Sequence, residues 1–213
     1  MPSHRPSKKE ERPMHLMHLS LYDVSVPALI RILVNLEQIL NKASAFATQR
    51  GMSADALLER RLHPDMFPLS RQVEILVSGA KGSVARLGGR VGPDAVDPEF
   101  AVFNRGDESS FRETWRSFGQ LQSLVQDGVA YLKTFTPDEI NAASTSITVS
   151  KADARSGRPG EARIFETRSF VLDSVLPNAY FHIGMVYALL RSAGVDLGKK
   201  DFEGAPVYRL EKP

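Results

Sequence analysis

No cysteine occurs among the 213 residues, so disulfides, thiolate metal sites and a cysteine nucleophile are all excluded. A surplus of either charge is missing as well: 27 lysines and arginines stand against 25 acids, giving +2 and a pI near 8.9. No Lys/Arg cluster is interleaved with aromatic residues, so the electrostatic footprint of a nucleic-acid binder is absent. There is no apolar signal core at the N-terminus, and no run approaches the about 20 apolar residues of a membrane span. A soluble, cytoplasmic protein is the expectation. The phosphate loop GxxxxGKS/T, a GxGxxG after a strand, HExxH and the GxSxG elbow are also missing, which removes the common routes to nucleotide, metalloprotease and serine-hydrolase chemistry.

What remains is 42% hydrophobic residues, enough for the core of one domain. That domain is expected over residues 18–204, between a tail at 1–17, rich in Pro, Ser and charge and expected to be disordered, and a C-terminal tail at 205–213. His15 and His18, three apart at the edge of the first tail, read as solvated residues rather than a metal pair.

Helical periodicity dominates. Leu29, Leu33, Leu36, Leu40, Ala43 and Ala47 alternate steps of four and three, predicting a long amphipathic helix over 25–50 with Ser25 as cap and Gly51 as stop. A short helix is expected over 53–60, followed by the loop LHPDMFPL. Within it, His63-Pro64-Asp65 shares a tripeptide with J-domain co-chaperones, but the plainer reading makes Asp65 the cap of the next helix. Leu69, Val73, Leu76, Ala80, Val84 and Leu87 carry that second long helix to Gly88-Gly89. Residues 90–108 read as loop. A third long helix is expected from a Ser110/Glu113 capping box through Phe111, Trp115, Phe118, Leu121, Val125, Val129 and Leu132. Thr136-Pro137-Asp138-Glu139 signals a short helical turn, and Ile147–Val149 with Arg163–Glu166 reads as a two-stranded hairpin.

The last helix, from a Ser174 cap to Gly194, carries Leu176, Ala179, Tyr180, Ile183, Val186, Tyr187 and Leu190 as its stripe. Other apolar residues cover its remaining faces, so it is expected to be central. Asn178 and His182 are the polar exceptions. Tyr22, Tyr180 and Tyr187 could line a pocket, though tyrosines on a stripe are more often core. Lys199, Lys200 and Asp201 read as a turn tying the C-terminus to the bundle. The fold class is therefore all-α: an antiparallel four-helix bundle with a small two-stranded hairpin before the last helix.

The segments SLYDVSVPALIRILVNLEQILNKA, LLERRLHPDMFPLSRQVEILVSGAKGSVARLGG, YLKTFTPDEI and LPNAYFHIGMVYALLRSAGVDLGKKDFEG resemble the family catalogued as domain of unknown function nineteen-ninety-three. The likeness covers about residues 18 to 204. It departs from the short bacterial pattern in the N-terminal tail and in longer insertions around 93–108 and 150–162. That family in turn resembles the DinB/YfiT-like superfamily of four-helix bundles, some of whose members are metal-dependent thiol transferases or isomerases holding a metal with three histidines.

This resemblance implies where a metal would sit. Two histidines four apart on the last helix would fall at Asn178 and His182, and the third, on the second long helix, near Ile75, with Gln72 the nearest polar residue. Asn is a poor ligand for zinc or nickel, so only an oxygen-preferring ion or an ordered water suits such a set. Three readings stay open. Gln72, Asn178 and His182 form a hydrogen-bonded cluster in a bundle that binds a small molecule and needs no cofactor. Alternatively, His182 and Asn178 hold a divalent metal in a divergent transferase or hydrolase, with His63 or Asp65 as acid or base. In the third, the bundle is a partner-binding module, such as a homodimer.

Overall fold

The computed structural model describes residues 19–95, 97–102, 115, 117–152, 159–209 and 211. Its first helix, α1 (Leu21–Gln49), begins before the predicted cap. Ser20 caps it: its hydroxyl accepts from the Asp23 amide at 3.2 Å, while the Asp23 carboxylate accepts from the Ser20 amide at 2.9 Å. This reciprocal pair satisfies two amides at once, so the start moves upstream. Ser25 instead lies buried within the helix and donates to the Leu21 carbonyl at 2.6 Å. The stop is as expected, with Gly51 at φ +62°.

After the short α2 (Asp55–Leu58), α3 (Leu69–Leu87) starts at Pro68, with no side-chain cap. Asp65 is therefore not the cap of α3; its carboxylate is taken by the His63 imidazole two residues away. α4 (Phe118–Leu132) is capped by Ser117, whose hydroxyl accepts from the Gln120 amide at 3.2 Å. The predicted Ser110/Glu113 box and Phe111 lie outside the described residues. Trp115 precedes the helix rather than belonging to it, since Ser117 is the cap, and its indole N–H donates to Glu74 of α3 at 2.7 Å. α5 (Pro137–Asn141) has the expected Thr136/Glu139 capping box.

The hairpin pairs β1 (Ser146–Ala152) with β2 (Pro159–Glu166), antiparallel, with Ser146 opposite Glu166 and Val149 opposite Arg163. Ile147 and Val149 point into the core while Ile164 faces out, the alternation of a half-buried strand.

From the hairpin the chain turns directly into helix. Glu166 caps α6 (Thr167–Ser169) by accepting from the Ser169 amide at 2.8 Å. A π-helical segment, Phe170–Val175, leads without a break into α7 (Leu176–Ser192). Ser174 is therefore inside a continuous helix and caps nothing. Pro177 lies within it as well, just past the widened turn. A proline ring there would clash with the carbonyl four residues back, and a π turn is a known way to relieve that. α8 (Lys199–Glu203) follows.

Neighbouring side chains give the helix directions. Asn41 meets Gln122 and Glu37 meets Gln126, so α1 and α4 are antiparallel. Gln72 meets His182 and Gly79 meets Asn178, so α3 and α7 are antiparallel too. In contrast, Val77 lies against Gly128 and Gly88 against Phe135, so α3 and α4 run parallel. α1 and α3 each pack on both α4 and α7, and therefore sit across the bundle from each other. A parallel α3/α4 pair requires the connection to travel back along α3. Arg86 donates to Phe100 O (2.9 Å), Lys81 pairs with Glu99, and Trp115 reaches Glu74.

This returning segment covers the face of α3 that the other helices leave open. Sixteen of the 19 residues of α3 are buried, including Lys81 and Arg86, whereas Tyr180 and Phe181 of α7 are half exposed. The central helix is thus α3, correcting the expectation for the last one. Lys81 lies over the rings of Phe100 and Tyr131 at 5.5 and 5.1 Å, so its charge is met by Glu99 and two aromatic faces. Among the described residues no helix is long and apolar enough to cross a membrane.

Candidate functional site

Gln72 on α3 and His182 on α7 meet across the helix pair. His182 Nδ1 lies 2.7 Å from Gln72 Oε1, and Gln72 Nε2 donates to the Phe67 carbonyl at 3.2 Å. That carbonyl decides the rest. An amide nitrogen must face it, so the amide oxygen faces the imidazole, and the imidazole proton is assigned to Nδ1. His182 is 5% exposed, and burial pushes its pKa down to about 4. At neutral pH it is an uncharged ring with a lone pair on Nε2, for which the described residues supply no partner. Phe181 packs edge-on against it, the ring centres 5.2 Å apart.

Asn178 is one turn earlier on the same side of α7. It is not bonded to the Gln72–His182 pair. Its Nδ2 lies 3.7 Å from where a Cβ on Gly79 would be, so the glycine leaves room for the carboxamide. Asn178 lines a cavity of about 290 Å³ together with Ser83, Asp173, Ser174, Leu29 and Val102. Ser83 uses its proton on the Gly79 carbonyl at 2.6 Å. The side chains of Asn178, Ser174 and Asp173 have no hydrogen-bond partner among the described residues, and so remain available to whatever enters.

The sequence-predicted residues thus divide. Gln72 and His182 come together, Asn178 lines the adjoining cavity, and His63 and Asp65 pair with each other in an exposed loop. With side chains 66% and 80% exposed, that loop pair makes no contact with His182 among the described residues. The same loop reaches the site through the backbone carbonyl of Phe67. Tyr187 packs edge-on to Phe202 at 6.0 Å, and Tyr22 is half-buried at the start of α1. His15 and His18 lie outside the described residues. Sequence reasoning missed Ser83, Asp173 and Ser174. One signal was present: Gly79 and Ser83 on α3 are four apart, as are Ser174 in the π segment and Asn178 on α7, so two faces with small or polar residues oppose each other.

The pairing of antiparallel α1/α4 and α3/α7 with a polar site between α3 and α7 defines a DinB-like helical bundle. The crystal structure of a DinB family member protein from Shewanella denitrificans matches it with a TM-score of 0.69 and 32% sequence identity, over 90% of this chain and 96% of that one. Within that class, residues 21–203 match the family described as Domain of unknown function (DUF1993), and the chain belongs to it. No curated protein matches the chain.

The three-histidine metal centre implied at these positions does not fit the residues present. One of its three places holds the neutral carboxamide of Asn178, and the third, expected near Ile75, has the carboxamide of Gln72 as its nearest polar group. One of these, Gln72, has its oxygen committed to the imidazole N–H, and the other, Asn178, lines the neighbouring cavity. One imidazole lone pair and a carboxamide form a weak donor set for zinc or nickel. Among the described residues no group of three or more His, Cys, Asp or Glu gathers elsewhere.

Proposed function

We propose that the α3–α7 face is a metal-free binding site for a small molecule carrying N–H and O–H groups. What carries the reading is the chain Phe67 carbonyl, Gln72 carboxamide, His182 imidazole, which commits both ends of the Gln72 amide and the imidazole N–H to protein partners rather than to a metal. This pair holds α7 on α3, and Asn178 beside it presents both a donor and an acceptor to the cavity, flanked by Ser174 and the Asp173 carboxylate. Unspent acceptors outnumber donors there, which favours a ligand rich in donors, such as an amino alcohol. Selectivity would come from the site's need to have those acceptors filled.

The test combines metal and ligand. Protein prepared without a histidine tag or chelating column is subjected to elemental analysis, and ethanolamine and serinol are titrated while amide shifts are followed by NMR. Expected are no stoichiometric metal in the wild type, and saturable shifts at residues 79–83 and 173–179 that Asn178→Leu removes. Stoichiometric metal lost in His182→Ala, or shifts unaltered by Asn178→Leu, would overturn the reading.

A further inference from the structure

A second and larger cavity, about 610 Å³, lies between α1, α7 and the segment after α8. Its outer wall is the chain from Phe202 to Tyr208, fastened to α1 by three bonds. Arg31 Nη2 donates to the carbonyls of Glu203 (2.7 Å) and Ala205 (2.6 Å), and Asn35 Nδ2 donates to that of Phe202 (3.0 Å). Lys42 adds an ion pair to Asp201 at 2.7 Å. At Gly204, with φ +77°, the strap passes so close to α1 that a Cβ would meet Asn35 Oδ1 at 2.0 Å. The wall is therefore built into the fold.

Its chemistry differs from that of the α3–α7 site. Of the ten large apolar side chains that the described residues expose, three, Tyr180, Val207 and Tyr208, line this one cavity, and Ile32, Ile183 and Phe202 complete its apolar surface. Charge at the cavity is unevenly spent. The Glu203 carboxylate is paired with Lys199 at 3.1 Å, while the Lys200 ammonium and the Nε and Nη1 groups of Arg31 have no partner among the described residues. Two cations with unspent N–H groups and an aromatic lining call for a ligand with one anionic end and a flat apolar body.

We propose that this cavity binds an aromatic carboxylate. The carboxylate accepts from Lys200 Nζ and the remaining N–H groups of Arg31, and the ring system covers Tyr180, Tyr208 and Ile183. Charge-assisted bonds to the head and removal of the rings from water act together.

Calorimetric titration of the whole protein with 1-naphthoate, and with the neutral 1-naphthalenemethanol, tests this. The acid should bind saturably at one site, and the alcohol at least about tenfold more weakly, the worth of one charge-assisted hydrogen bond. Lys200→Glu lies on the surface and should keep the helical circular dichroism while weakening the acid about tenfold or more by the same reasoning. Tyr180→Ser should weaken both ligands, and Asn178→Leu neither. Equal affinity for acid and alcohol, indifference to Lys200→Glu, absence of saturable binding, or loss of binding in Asn178→Leu would each overturn the proposal.

Discussion

Acid should loosen this protein through one residue. His182 is neutral in the folded state with a pKa near 4, against about 6.5 in an unfolded chain. Between those values the unfolded chain holds the extra proton, so lowering the pH favours unfolding. The His182 contribution is full above pH 6.5, then falls by about 1.4 kcal/mol per pH unit and levels off near pH 4. The interval corresponds to a loss of about 3 kcal/mol, or roughly 6–12 °C in melting temperature for a chain of this size. Four carboxylates held below their ordinary values, Asp23, Glu139, Glu166 and Asp201, also lose stabilisation on acidification. They do so from their ordinary carboxylate range downward and equally in a variant, so the difference between two proteins isolates the histidine. His182→Gln is the comparison to make, because its side chain can still bond Gln72 but does not titrate. Urea unfolding at half-unit steps from pH 7.5 to 4 should give a gap between the two that closes as pH falls. Parallel curves across that window would show that His182 is not held neutral by burial, and the reasoning would fail.

Two further outcomes test the packing. Leu36→Ala removes a fully buried side chain and should destabilise by about 2–5 kcal/mol in equilibrium denaturation without changing helical content in the folded state. In Gly82→Ala, the methyl would meet the Phe100 carbonyl oxygen at 2.2 Å. The returning segment must move away, at a cost of about 1–3 kcal/mol, and the fluorescence of the single tryptophan, Trp115, should shift to the red.

Periodicity carried the helices well where one stripe is buried: Leu29, Leu33, Leu36, Leu40, Ala43 and Ala47 of α1 are buried as their spacing requires. Starts were harder. Ser20, Ser25, Ser110, Ser117 and Ser174 all carry a capping side chain, and only the competing partners distinguish them: Asp23 for Ser20 and Gln120 for Ser117. The π segment left no trace in the apolar pattern, since Phe170, Val171 and Val175 satisfy an ordinary helix equally well. The Gln72–His182 pair was legible only through the family resemblance, because two residues 110 apart share no spacing rule. The centrality of α3 was hidden for a different reason. Lys81 and Arg86 look like surface residues until the chain after Val91 folds back over them.

The π segment also acts as a phase setter for everything after it. An α-helix turns about 100° per residue, and six residues wound more loosely lag behind the angle they would otherwise reach. Asn178 and His182 inherit that lag, since the helix runs from the hairpin through Phe170–Val175 to them without a break. Which way the imidazole faces is therefore fixed upstream, by how tightly the chain is wound before Pro177. The hairpin's end and the loosened turns work together as an angular gauge, and loss of a single residue between them would aim the same side chains at a different neighbour.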